Sequence, residues 1–166
     1  MKNNFSNDHI YDLIVIGGGA SGFMGAITAA ESGSQSVLIL ENNIDTLGKV
    51  RVSGGGRCNV THACFDPSEL VCNYPRGKKQ LLGLFNRFST NDAIYWFKSR
   101  GLDLKTELDG RMFPTSNRSS DVISCLRNSA KNTGVKVLTK KNVISVENLN
   151  NESFSVNLKH NESFYA

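Results

Sequence analysis

The sequence predicts an α/β fold of the Rossmann type, built on a parallel sheet that binds a dinucleotide. Three observations predict it. A GxGxxG run, Gly17-Gly18-Gly19-Ala20-Ser21-Gly22, starts where the apolar stretch Leu13-Ile14-Val15-Ile16 stops, and Glu41 ends a second apolar stretch, Val37 to Leu40.

Asp12 to Ile16 reads as a buried parallel strand, and Ala20 to Ser32, rich in alanine and other small residues, as the helix after it. Between them the chain must turn sharply while its backbone closes on a diphosphate. Gly17 makes the turn, Gly19 leaves room for the pyrophosphate, and Gly22 lets the helix approach the strand, a contact that Ala26 extends. The first amides of the helix lack intrahelical partners, and with the helix dipole they favour an anion. Gly33 stands where a C′ residue ends a helix. Glu41 follows the glycines by about 20 residues, where an acid accepts hydrogen bonds from ribose hydroxyls.

A second glycine-rich stretch runs from Gly48 to Thr61. Gly54, Gly55 and Gly56, flanked by Ser53, Arg57 and Asn59, predict a loop dense in backbone amides, with a guanidinium that can fork onto phosphate. Farther on, Gly77 to Phe88 carries Leu81, Leu84, Phe85 and Phe88 at amphipathic-helix spacing. Asn91 to Arg100 predicts a helix with Thr90 as N-cap and Gly101 as its stop. The aromatic residues Phe88, Tyr95, Trp96 and Phe97 read as core.

Leu104 to Glu107 and Arg111 to Phe113 flank Asp109-Gly110, the signature of a hairpin with a tight primed turn that leaves Arg111 exposed. Ser119 to Thr133 predicts a third helix, with Val122, Ile123, Leu126 and Ala130 on its apolar face and Gly134 closing it. Val135 to Thr139 is expected to join the parallel sheet beside the first two strands. Val143 to Val146, Phe154 to Leu158 and Ser163 to Tyr165 predict a small antiparallel meander, with a turn at Asn148 to Asn151.

At 166 residues, 39% hydrophobic and 20% charged, the chain has globular composition. Its net charge of +4 is scattered, and the cluster Arg76, Lys78 and Lys79 reads as a solvated helix start, so no nucleic-acid partner is expected. Gly17, Gly18, Gly19, Ser21, Gly22 and Thr28 make the run Leu13 to Ala30 too polar for a signal peptide or membrane span. A cytoplasmic protein with Cys58, Cys64, Cys72 and Cys125 as reduced thiols is therefore expected.

The combination IGGGASGFMGAITAA, LILEN, GKVRVSGGGRCNVTH and GRMFPTSNRSSDV resembles the BaiN/RdsA-type, aminoacetone-oxidase-like family of bacterial NAD(P)/FAD-dependent flavoproteins, from about Tyr11 to the last residue. SGGGRCN, Ser53 to Asn59, is the most specific part. The resemblance implies a glutathione-reductase-like FAD-binding domain over residues 11–166, after a tail at 1–10. It implies that Gly17, Gly18, Gly19, Ala20, Ser21 and Gly22 hold the pyrophosphate, and that Glu41, with Asn42 beside it, takes the adenosine ribose. Lys49, Ser53, Gly54, Gly55, Gly56, Arg57, Cys58 and Asn59 match the stretch that lines the cofactor towards its flavin end.

The implied activity is an FAD-dependent oxidoreductase, with NAD(P)H or an organic substrate as hydride donor and a small-molecule acceptor. Relatives carry alanine where this chain has Ser119, and they run to several hundred residues, so the chain reads as an amino-terminal portion. Three alternatives stay open: a nucleotide-binding fragment without turnover, a Rossmann module for NAD alone, and a flavin disulfide reductase using Cys58 and Cys64. Against the last, the five intervening residues depart from the four-residue separation of that group. A zinc site at Cys58, His62, Cys64 and Cys72 lacks ligand-pair spacing. No acid or base is assigned, and His62 reads as a loop histidine at a helix end.

Overall fold

A computed structural model of the chain describes residues 9–149 and 153–166. The expected tail lies almost wholly outside these residues, and so does part of the turn at Asn148 to Asn151. Along the chain run β1 (Leu13–Ile16), α1 (Ala20–Glu31), β2 (Val37–Leu40), α2 (Gly48–Gly56), β3 (Thr61–His62), α3 (Pro67–Leu70), a 3-10 turn (Val71–Asn73), α4 (Lys78–Phe85), α5 (Thr90–Lys98), β4 (Leu104–Thr106), β5 (Arg111–Pro114), α6 (Ser119–Asn132), β6 (Lys136–Leu138), β7 (Val143–Asn148), β8 (Phe154–Leu158) and β9 (Ser163–Tyr165). Two compact units emerge: residues up to Gly48 together with Leu126–Ala166, and Lys49–Cys125.

The first unit is the Rossmann core. β1, β2 and β6 form a parallel sheet in the order β1-β2-β6, with Leu13 opposite Val37 and Leu38 opposite Lys136. β2 pairs along both edges and is buried at all four positions, which is why its sequence is an unbroken apolar run. Leu38 and Leu40 join Tyr11, Val156, Leu158 and Phe164 in one cluster, so the meander β7-β8-β9 covers the sheet face those two leucines share. Tyr11 also donates its amide to the Tyr165 carbonyl at 2.8 Å. α1 contributes Phe23, Ala26 and Ile27 to the core, each at most 1% exposed, and Gly33 ends it with φ +110°.

The second unit holds an antiparallel sheet in the order β3-β5-β4. β3 was not foreseen; it places His62 in a strand opposite Arg111, not at a helix end. The hairpin β4–β5 forms as expected, but only its glycine is left-handed among the turn pair, with Gly110 at φ +83°. The Gly110 amide donates to Glu107 O at 2.9 Å, giving a wider turn than the two-residue primed form.

α5 begins one residue early, because Ser89 rather than Thr90 caps it. Ser89 and Asp92 form a reciprocal capping box, while the Thr90 hydroxyl donates to the Cys64 carbonyl at 2.8 Å. Trp96 and Phe97 are core, whereas Phe88 and Tyr95 are exposed, which corrects half of the aromatic set. α4 is shorter than its periodicity implied and buries no residue fully; Phe85 lies 5.4 Å from the Tyr74 ring, but Leu84 stays 56% exposed, so the apolar face is only partly covered. Across those residues no helix is long and apolar enough to cross a membrane.

Candidate functional site

The strand-to-helix corner of the Rossmann core is built by three glycines with three different constraints. Gly17 turns the chain at φ +103° while its amide donates to Leu40 O at 2.8 Å. A β-carbon on Gly22 would stand 2.1 Å from the Gly17 carbonyl oxygen, so this residue sets how closely α1 approaches the turn. Gly19 is the N-cap of α1, no side chain caps the helix there, and a β-carbon on Gly19 would meet nothing within 4 Å. Gly19, Ala20 and Ser21 are exposed. The first turn of α1 therefore offers its orphan amides to an open space, which fits a diphosphate.

Gly18 does a different job. It is buried; its amide donates to Glu41 Oε2 at 2.7 Å, and its carbonyl accepts from the Leu47 amide at 2.8 Å. With both backbone groups engaged, Gly18 ties the glycine loop to the segment after β2 instead of presenting an amide to a ligand. A side chain there would strike Thr46 Cγ2 at 2.8 Å.

Glu41 is 8% exposed. Its Oε1 accepts from the Asn43 amide at 2.8 Å and from Asn43 Nδ2 at 2.6 Å. Burial pushes its carboxyl up, but the hydrogen bonds from Asn43 and Gly18, with a smaller pull from the Asn42 backbone, outweigh that and hold it below the ordinary 4.5. The ionised form is thus the native one. Asn42 itself is exposed.

The segment after Glu41 is anchored from α6. Arg127 donates from Nε to Thr46 Oγ1 at 3.1 Å and from Nη2 to the same oxygen at 2.9 Å, and it pairs with Asp45. Leu47, buried at φ +62°, closes the segment onto Gly18. Asn43, Thr46 and Arg127 escaped the sequence reading. Only the Asn two places after the acid carried a local signal, as a residue able to bond its neighbours' backbone; Arg127 lies 81 residues from Thr46 in the chain. A cleft of about 470 Å³ beside Arg127, Phe23 and Val137 is lined by neither Glu41 nor any glycine of Gly17 to Gly22.

Gly48 to Val52 is helical rather than loop, and the glycine run proper, in the second unit, begins at Ser53 (φ −64°, ψ 149°). Gly54, Gly55 and Gly56 then follow with φ of +56°, +68° and +83°, and Cys58 at +62°. Gly54 is required by packing as well as φ, since a β-carbon would stand 2.8 Å from Phe113 Cε1 and 2.9 Å from the Asn59 amide. The Arg57 guanidinium is engaged within the unit: it pairs with Glu107 and lies 4.0 Å over the Phe113 ring. Asn59 Oδ1 accepts from the Met112 amide at 3.3 Å, and Ser53 Oγ donates to Val50 O at 3.0 Å. Lys49 and the three glycines are exposed.

Cys58, Cys64, Cys72 and Cys125 lie outside any disulfide, and Cys58 and Cys125 are buried. Burial pushes the Cys58 thiol above its usual 9.0 despite a hydrogen bond with Ser53. His62 Nε2 sits 3.0 Å from Asp109 O, against the hairpin turn. Among the described residues no group of three or more His, Cys, Asp or Glu side chains is placed to hold a metal ion.

A model of the family described as HI0933-like protein Rossmann domain matches residues 11–166. The chain is 32% identical over 126 residues to the 3-dehydro-bile acid delta(4,6)-reductase of Clostridium scindens, covering 75% of this chain and 30% of that protein. It is 26% identical over 136 residues to the ribosomal RNA dihydrouridine synthase of Escherichia coli, covering 82% of this chain and 33% of that protein. The chain thus spans about a third of the length of these relatives. Among solved structures, the 3-ketosteroid-delta4-(5alpha)-dehydrogenase of Rhodococcus jostii aligns with a TM-score of 0.69 over 98% of this chain and 45% of that one, at 14% identity, a likeness of fold.

Proposed function

The chain belongs to the HI0933-like Rossmann-domain family, a family of FAD-binding oxidoreductases, and on that premise we propose that it is the FAD-binding part of such an enzyme. The observation that carries the proposal is the open glycine corner joined to an ionised carboxylate: uncapped amides at the start of α1, and Glu41 hydrogen-bonded to Gly18 in the same loop. The α1 amides bind the diphosphate, and Glu41 accepts from the adenosine ribose. Lys49 and Ser53 to Asn59 supply further cofactor contacts; this part rests on the resemblance of GKVRVSGGGRCNVTH alone.

Bound FAD supplies hydride transfer, and the protein binds, orients and tunes it. NAD(P)H is the proposed donor. The acceptor is a small molecule with a carbon–carbon double bond conjugated to a carbonyl. In support, one relative is named for reducing a 3-dehydro-bile acid and another for making dihydrouridine, and both names describe saturation of such a bond. The second name also speaks of ribosomal RNA, so a gel-shift assay with RNA is the direct check on the expectation that nucleic acid is no partner. A cytoplasmic setting completes the proposal, resting on the polar, glycine-rich character of Leu13 to Ala30.

The test is a visible spectrum of the purified protein before and after NADPH. A flavin band that bleaches is the expected result. A colourless protein carrying NAD overturns the proposal, and a flavin band untouched by NADPH or NADH, with the flavin still reducible by dithionite, restricts the chain to binding without turnover.

A further inference from the structure

Glu41 carries an arrangement that limits how it can hold a sugar. Three hydrogen bonds of 2.6 to 2.8 Å already fall on its carboxylate: two from Asn43 on Oε1 and one from Gly18 on Oε2. An ionised carboxylate has about four good acceptor directions, two per oxygen. Oε1 is therefore saturated within the protein, and the direction left open belongs to Oε2. The side chain is also held in place, because it is 8% exposed and bonded at both oxygens.

We propose that Asn43 is a positioning residue for the nucleotide site: by occupying Oε1 with both its amide and its side chain, it makes Glu41 a one-hydroxyl acceptor, so that the site distinguishes the two hydroxyls of the adenosine ribose. The inference rests on the reading of Glu41 as the ribose acceptor. The Asn43 backbone amide stays in any variant, but the side-chain amide is removable. Without it, Oε1 regains an open direction, and the carboxylate can reach a second hydroxyl or rotate away from the first. Asn43 lies two residues past the acid and is exposed, so its side chain is not a core element whose loss would collapse the sheet.

Calorimetric titration of the intact chain, with any flavin it carries first removed and its fold checked by circular dichroism, with ADP, 2′-deoxy-ADP and 3′-deoxy-ADP tests this. The expected result for the unaltered protein is one deoxy analogue bound about tenfold or more weaker than ADP, the loss of one charge-assisted hydrogen bond, and the other bound like ADP. In Asn43→Ala the ratio between the two analogues shrinks towards one, while Asn43→Ser, which keeps a short donor, restores part of it. A residue with a merely structural role would lower all three affinities together and leave the ratio unchanged. If both analogues lose equally in the unaltered protein, or if the ratio survives Asn43→Ala, the inference is wrong and the nucleotide site stands. If ADP itself does not bind, the reading of the site fails, and this inference with it.

Discussion

The chain has two glycine-rich turns, and they combine the properties of glycine differently. In the first, Gly18 and Gly22 are tightly packed while Gly19 clears space: no atom lies within 4 Å of its would-be β-carbon, and the first amides of α1 stay uncapped. At Gly54 to Gly56 the glycines bend the chain through three successive left-handed residues, and Gly54 is packed on Phe113 and the Asn59 amide. The nearby cations differ too. Arg127 braces the segment that clasps the first turn, whereas Arg57 is neutralised by Glu107 beside the second. Each turn mixes open and packed glycines, since Gly18 and Gly22 are tightly packed in the first and Gly55 and Gly56 meet nothing within 4 Å in the second; what sets the first apart is that it opens onto the uncapped start of a twelve-residue helix.

The strongest way to break this contrast is Gly22→Ala. Its methyl would collide with the Gly17 carbonyl at 2.1 Å, a backbone atom that cannot swing aside, so a loss of about 3 kcal/mol or more in denaturant unfolding is expected. A stability change within error would remove the close approach of helix to turn as a cause of the motif. Gly54→Ala comes next: left-handed strain plus contact with the Phe113 ring predicts a loss of about 2 kcal/mol, read as a lower unfolding midpoint.

Glu41→Gln sharpens the first turn chemically, since a neutral amide cannot accept at both ends. Leaving a buried donor short costs about 1–3 kcal/mol. Because the folded carboxyl lies below its ordinary 4.5, its contribution is present above that pH and is lost as the pH falls through the lowered folded value. Unfolding curves across that acid range must therefore flatten in Glu41→Gln; an unchanged acid slope would mean that other carboxylates dominate it.

Gly19→Ala separates binding from stability, because the added methyl meets nothing in the protein yet enters the space offered to a diphosphate. Unfolding is expected to shift by less than about 1 kcal/mol, while flavin retained through purification drops sharply; equal retention would place the diphosphate elsewhere. The smallest effect is in thiol reactivity. Iodoacetamide should reach exposed Cys72 first and buried Cys58 about tenfold slower or more, with mass spectrometry following each peptide.

Much of the Rossmann core was legible because its signals are local and periodic. The strands around Leu13 to Ile16 and Val37 to Leu40, the helix ended by Gly33, the parallel strand after Gly134 and the three-stranded meander all lie where the pattern put them. The misreadings sit where a decision is non-local. α4 has the amphipathic spacing of a core helix but no buried residue, since spacing says which residues share a face and not what covers it. Ser89 and Thr90 are both good caps, and Thr90 yields because its hydroxyl is drawn to Cys64 O, 26 residues away in sequence. The helical start of α2 and the strand at His62 were hidden for the same reason: two residues of β3 have meaning only beside β5.

By itself the amino-acid order determined the βαβ unit, its glycine turn and the acid at the end of its second strand, because φ freedom, apolar runs and helix ends are properties of short stretches of chain. Tertiary structure alone decided how that acid is used: that Gly18 spends both backbone groups on the loop after β2, that Asn43 occupies one oxygen of Glu41, and that Arg127 holds Thr46 against Gly18. Those are hydrogen bonds and contacts among residues mostly separated by tens of positions. They depend on where folding brings the chain back, which no local pattern encodes.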